Sequence, residues 1–283
     1  MPVVEELAAP PRLGPLFRGA LLRNSVGEAL PDTELVLRGV RVDREHLAAY
    51  NRVCGFRLRD ELPATYPHVL AFPLAMSLMA RPAFPLPLLG LVHVTNRIEL
   101  ARPIGAAEHF DFRVLAEQLR PHDRGTQVDL VATALVDGEP VWHGRSTYLH
   151  RAKSSDKGRP PAPDAAPSTP SAVLRVERRV GPDYAAVSGD RNPIHTSRVL
   201  ARAFGFRRTI AHGMWTKARC LAALEGRLPD AYAVEVAFKL PILLPATVAL
   251  TTERHGPDWR LTLTDAKSSR PHLTGTVQAG PPS

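Results

Sequence analysis

The sequence predicts an α+β fold of two similar halves, each an antiparallel sheet wrapped around one long apolar helix. Three observations carry this. The segment "RAKSSDKGRPPAPDAAPSTPSA" (151–172) holds five prolines and few large apolar residues, the composition of a linker. The stretches before and after it repeat: Tyr50, Cys54 and Gly55 lie over Tyr184, Ser188 and Gly189 at a constant offset of 134. In each stretch one apolar helical pattern is followed only by alternating or β-branched segments, which sets a single helix against consecutive antiparallel strands. The expected boundaries are 1–150, a linker over 151–172, and 173–283.

In the first half, "LVLRGVRVDREHLAAYNRVCG" spells a strand, a helix capped by Asp43 and a stop at Gly55. The apolar "FPLAMSLMA" (72–80) is the long helix. The segments "VHVTNRIEL", "HFDFRVLAEQLR", "TQVDLVATALVD" and "VWHGRSTYL" are strands. In the second half, "LRVERRVGPDYAAVSG" gives a strand, a short helix and a stop at Gly189. "PIHTSRVLARAF" gives a helix of about three turns stopped by Gly205. "GMWTKARCLAALEG" gives the long helix, from near Gly213 to Gly226. Strands follow at "VEVAFKL", "TVALTTE", "WRLTLTD" and "LTGTVQ". Two such sheets can pair edge to edge, which shields their edge strands.

The composition excludes several classes. Hydrophobic residues make up 44% and charged residues 23%, which supports a globular core. The N-terminus carries Glu5 and Glu6 and lacks the apolar core of a signal peptide. The longest apolar run, Val69 to Ala80, has 12 residues and an internal proline, too short to insert into a membrane. Two cysteines, with no spaced pair, point to a reducing, cytoplasmic setting. Net charge is +8. Residues 1–150 hold 16 Lys+Arg and 17 Asp+Glu, and residues 151–283 hold 20 and 11, so the excess lies in the second half. That asymmetry fits solvated surface charge or an anionic partner. No nucleic-acid motif accompanies it.

The chemistry concentrates in "YAAVSGDRNPIH" (184–195). Asn192-Pro193 is an N-cap followed by a first-turn proline. Asp190 and His195 should share the rim of this loop-to-helix junction, where an aspartate and a histidine that share one water form an acid–base pair. A helix N-terminus disfavours imidazolium and helps keep His195 neutral. A metal held by Asp190, Asn192 and His195 lacks the usual spaced partners. In "TIAHGMW" (209–215), Gly213 opens the long helix, and its N–H is a ready oxyanion donor or simply a tight helix start. His212 reads as structural.

These residues resemble the MaoC-like family of R-specific enoyl-CoA hydratases and 3-hydroxyacyl-thioester dehydratases. The resemblance rests on D-x-N-P-x-H, the preceding Ser188-Gly189, and A-H-G with Gly213 18 residues beyond His195. The Arg-, Ala- and Pro-rich usage resembles actinobacterial members. The resemblance implies tandem "hot dog" folds, a double hot dog in which a long central helix is wrapped by an antiparallel sheet. It implies reversible dehydration of (3R)-hydroxyacyl thioesters to trans-2-enoyl thioesters in fatty-acid metabolism. It casts Asp190 and His195 as the pair that activates water, Gly213 as the oxyanion-hole donor, and Asn192, Ser188 and Gly189 as support. It requires no cofactor beyond CoA or an acyl carrier protein as part of the substrate. Arg207, Arg208, Lys217 and Arg219 are candidate contacts for the substrate phosphates or the carrier. A hot dog thioesterase and a non-catalytic acyl-binding subunit are the alternatives. Both a monomer and a homodimer fit two hot dogs in one chain.

The repeat places Phe56 where the second half has Asp190, Glu61 in place of His195, and Pro73 in place of Gly213. Proline has no N–H. One active site per chain follows, in the second half. Family precedent makes the first half an acyl-chain pocket, lined by "FPLAMSLMA" and "FPLPLLGLVHV" (84–94).

Overall fold

The computed structural model describes residues 2–22, 27–88, 90–151 and 169–280. Most of the expected linker lies outside the described residues. β6 (Glu139–Arg151) runs up to it and β7 (Ala172–Val176) follows it.

The first half contains β1 (Val3–Leu7), α1 (Leu13–Leu22), β2 (Thr33–Arg41), α2 (Arg44–Cys54), α3 (Tyr66–Met79), β3 (Leu91–Leu100), β4 (His109–His122), β5 (Gly125–Val136) and β6. After β7 come α4 (Val180–Ser188), α5 (Pro193–Thr196), α6 (Arg198–Ala203), α7 (Gly213–Ala222), β8 (Tyr232–Phe238), β9 (Ala246–His255), β10 (Asp258–Asp265) and β11 (Pro271–Ala279). The strands form one sheet of eleven, in the order β1-β2-β4-β5-β6-β3-β8-β11-β10-β9-β7. Leaving out β1, each half repeats the same order read from its outer edge: β2-β4-β5-β6-β3 matches β7-β9-β10-β11-β8. The halves join where β3 pairs antiparallel with β8, from Thr95 opposite Ala237 to Leu100 opposite Tyr232. The expected edge-to-edge pairing is what the chain adopts.

Local chemistry sets the helix ends. The Asp43 carboxylate accepts the N–H groups of Glu45 and His46 at 2.9 and 3.2 Å. Gly55 and Gly189 close α2 and α4 in the left-handed region, at φ of 80° and 74°. The repeat seen in the sequence is therefore a repeat of helix stops.

Three expectations change. β1 and α1 were not foreseen; β1 adds a parallel edge strand to β2. The long helix of the first half starts at Tyr66, so Pro73 lies inside it and does not stand at the position of Gly213. The residue at the helix start is Tyr66, whose N–H is already bonded to Pro63 O at 2.8 Å and is followed by Pro67, which has none. The first half therefore still offers no free donor there, for a different reason. Finally, the predicted helix over 193–204 is broken at Ser197, whose backbone is extended; its side chain caps α6 through Leu200 N–H.

Candidate active site

The loop from Ser188 to His195 is held by short-range bonds that its own sequence supplies. Ser188 Oγ accepts the Asp190 N–H at 3.2 Å, and Asp190 Oδ1 accepts the Asn192 N–H at 3.1 Å. Asn192 Oδ1 accepts the Ile194 N–H at 3.3 Å, as a capping asparagine does. Two features favour glycine at position 189. Its φ is positive, and a Cβ there would lie 2.4 Å from Leu13 Cδ1 of α1. The first weighs more strongly, because the Leu13 side chain met by the second can turn away.

His195 is buried, and its Nδ1 lies 2.8 Å from Ile210 O. A carbonyl only accepts, so Nδ1 carries the proton and Nε2 is the free lone pair. The half-buried Asp190 stands beside it. His212 contributes a third group: its ring stacks on His195 at 3.6 Å between centroids, and its Nε2–H donates to Asp190 O at 3.0 Å. One ligand-type atom from each of Asp190, His195 and His212 lies within 4.8 Å of the others, a span that one water can bridge. The same grouping could receive a metal ion, but one nitrogen of each histidine is already committed as a donor to a carbonyl.

Burial holds both histidines below the usual imidazole range. The Asp190 charge and the Ile210 carbonyl pull the other way for His195. His212 is pushed further down by the neighbouring His195. Both rings are neutral at neutral pH, the state a base requires.

Gly213 is the first residue of α7. The capping position, His212, makes no side-chain cap, and among the described residues no acceptor takes the Gly213 N–H. α7 therefore begins with an uncapped N–H directly after His212, whose ring stacks on His195. The Phe238 ring covers this turn; a Cβ on Gly213 would sit 3.2 Å from it.

The first half contributes a wall. Burial, and next the Asp190 charge, raise the Tyr148 phenol above its usual range. Its ring lies 4.6 Å from that of His93, which lies 5.0 Å from that of Phe238. Tyr148 also lines a narrow cavity with His68, Ala71, Phe72, Ala75, and Ser146. Of the expected segment 72–80, Phe72 and Ala75 border this cavity, whereas Phe84 and Leu86 of the second expected segment pack in the core. A larger cleft, of about 350 Å³, lies between α2 and residues 58–60, and contains none of the site residues.

Other expected residues separate. Phe56 packs against the core and Glu61 is exposed, so neither rebuilds a second acid–base pair. Arg207 is exposed, and Arg208 donates to Pro245 O at 3.1 Å. Arg219 packs over the end of α2 at Gly55. Lys217 is not a surface contact: it is 0% exposed, and its Nζ reaches Asn96 O, Asn96 Oδ1 and Val234 O. Sequence position near the motif gave no sign that this face of α7 turns inward.

His212, Tyr148 and Gly181 were missed as functional residues. His212 had a signal, since it stands inside A-H-G. Tyr148 had none, because it arrives through long-range pairing. Gly181 of α4 lets the His195 turn approach: a Cβ there would lie 2.1 Å from His195 O. Gly181→Ala is expected to cost about 1–3 kcal/mol as overpacking and to displace His195. Thermal unfolding and turnover check this: both should fall, and unchanged turnover would mean the turn adapts without moving the imidazole.

Comparison with known proteins follows the same division. The MaoC like domain matches residues 162–270. The 3-hydroxyacyl-thioester dehydratase X of Mycobacterium tuberculosis is 42% identical over 254 residues, covering 89% of this chain and 91% of that protein. The crystal structure of HtdX from Mycobacterium tuberculosis superposes with a TM-score of 0.79 at 40% identity, covering 87% of this chain and 100% of that one. A second Mycobacterium tuberculosis protein, described as a double hot dog, shares the fold at 15% identity and a TM-score of 0.51, covering 86% of this chain and 95% of that one. The likeness to the first two extends across both halves, and with it the chain belongs to the MaoC-like dehydratase family.

Proposed function

We propose that this hydro-lyase reversibly dehydrates (3R)-hydroxyacyl thioesters to trans-2-enoyl thioesters, at one site formed by Asp190, His195 and Gly213. The observation that carries the reading is the convergence of three groups: a carboxylate, a neutral imidazole with Nε2 free, and an uncapped helix N–H.

In the hydration direction, Asp190 and His195 hold one water. His195 Nε2 accepts a proton from it as the oxygen bonds to C3. The C2=C3 π electrons move toward the carbonyl, and negative charge gathers on the thioester oxygen. The Gly213 N–H stabilises that charge, aided by the positive end of α7. The imidazolium then returns a proton to C2. Dehydration reverses each step: C2 gives up its proton, the C3–O bond breaks, and the hydroxyl leaves as water. The residues do this without calling on a metal or organic cofactor. The R configuration follows the family. The acyl chain extends past Tyr148 toward α3.

Among the described residues, no helix is long and apolar enough to cross a membrane. Cys54 and Cys220 are buried and free, in keeping with a cytoplasmic, reducing setting.

The test is loss of the conjugated enoyl absorbance when short and long trans-2-enoyl-CoA are mixed with the protein. Release of free thiol instead would favour a thioesterase. No reaction with CoA-linked or carrier-linked substrates would favour an acyl-binding subunit.

The pH profile supplies a second test. The His195 pKa is lowered, so the base stays neutral as pH falls toward the ordinary imidazole value. kcat/KM for hydration should decline on the acid side with its midpoint below pH 6.5. An acid limb centred above 6.5 would exclude His195 as the titrating base.

A further inference from the structure

The stretch between Asp190 and Glu225 holds seven basic residues and no acidic one. Two of the seven, Lys217 and Arg219, are occupied within the fold, and Arg208 is bonded to Pro245 O. The other four, Arg191, Arg198, Arg202 and Arg207, are exposed, and among the described residues none has a carboxylate within ion-pair distance.

Arg198 and Arg202 lie on α6, an unusual surface helix, and Arg191 and Arg207 flank it in the sequence. Only Ala201 turns inward, at 0% exposure. Val199, Leu200 and Phe204 are 77%, 46% and 39% exposed. Helical spacing puts Leu200 and Phe204 on one flank of α6 and Arg198 and Arg202 on the other, with Val199 between them on the outer face opposite Ala201. Single exposed apolar residues are ordinary. Three on one short helix, with the unpaired Arg198 and Arg202 on the same helix, have the composition of a protein interface: apolar and aromatic groups with arginine. The surface is also next to the chemistry, because only Thr196 and Ser197 separate His195 from α6.

We infer that the exposed face of α6 docks an acidic acyl carrier protein, whose flexible arm delivers the thioester to the site beside it. This rests on the dehydratase reading and narrows it. Free CoA offers phosphates to the arginines, but its single adenine ring and thin pantetheine arm cover less apolar surface than a protein face does. A carrier protein offers both acidic and apolar side chains. Charge complementarity steers the encounter, and the apolar ridge holds the complex.

The experiment compares one acyl chain presented on a carrier protein and on CoA. With wild-type protein, kcat/KM for the carrier-linked substrate should fall steeply with added salt. Leu200→Ser with Phe204→Ser should lower that value about tenfold or more and leave the CoA-linked value within about twofold. Arg198→Glu with Arg202→Glu should lower it further. These charge reversals also repel the CoA phosphates at long range, so the uncharged pair is decisive. Equal losses on both substrates, no loss on either, or turnover of the CoA form alone by wild type would each overturn the docking surface. So would sedimentation showing that the serine pair dissociates a homodimer, since a second copy would then cover α6. If wild type turns over neither substrate, the dehydratase reading fails. Binding of the unacylated holo-carrier, measured by anisotropy for wild type and the serine pair, then decides the surface independently.

Discussion

Asp190→Asn is expected to lower hydration of trans-2-enoyl-CoA by about a hundredfold to ten-thousandfold, the usual worth of a positioned acid–base group. The substitution is close to isosteric. Its amide oxygen can still accept the Asn192 N–H that Oδ1 now accepts, so the loop should keep its shape. What is lost is the negative charge beside His195, which favours the imidazolium formed as water gives up its proton. His195→Ala should cost a similar factor by removing the Nε2 lone pair itself. It also leaves Ile210 O without its buried donor, so part of its effect is structural. The double variant separates the contributions: residues acting as one unit lose little more together than apart. Turnover with chain-matched substrates, with near-UV spectra confirming the fold, is the measurement. Wild-type turnover in Asp190→Asn would remove Asp190 from the chemistry.

Lys217→Met is expected to have the largest effect on stability. Burial pushes the Lys217 ammonium toward its neutral form. Against this, Nζ meets three oxygens, two on Asn96 and one of Val234. Three acceptors match the three N–H donors of an ammonium; a free amine has two donors and would turn its lone pair toward an oxygen. The contacts therefore favour the charged form, held by carbonyl dipoles. Asn96 belongs to β3 and Val234 to β8, so Lys217 ties α7 to both strands at the junction of the halves. Methionine fits the volume but leaves buried acceptors unpaired, at about 1–3 kcal/mol each. A drop of several degrees or more in Tm should follow, checked by thermal unfolding. An unchanged Tm would mean that the cost of burying the charge already cancels its bonds.

Much of the site was legible because its geometry is local. Within seven residues, Ser188, Asp190, Asn192 and Ile194 supply both partners of the three side-chain-to-backbone bonds that turn the loop. Gly55 and Gly189 could be recognised as helix stops because the left-handed cap favours glycine whatever surrounds it. The strands were legible from alternation because one face of the sheet is covered. The split at Ser197 was not: the helical pattern continues through it, and the break follows from the separate side-chain caps of α5 and α6. Pro73 was misplaced because the first turn, Tyr66-Pro67-His68, is buried like the rest of α3 but interrupts the aliphatic run that marks the helix in the sequence.

The sequence alone determined the α+β class, the repeated order of helix and strands, and the loop that carries Asp190 and His195. Each depends on residues a few positions apart, where capping, turn chemistry and periodicity act. The tertiary structure decided the rest. It stacked His212 on His195, brought Tyr148 of the first half toward Asp190, and buried Lys217 between β3 and β8. It also left the apolar ridge of α6 uncovered. These placements depend on which distant segments meet when two sheets join along one edge, and that choice belongs to packing across the whole molecule.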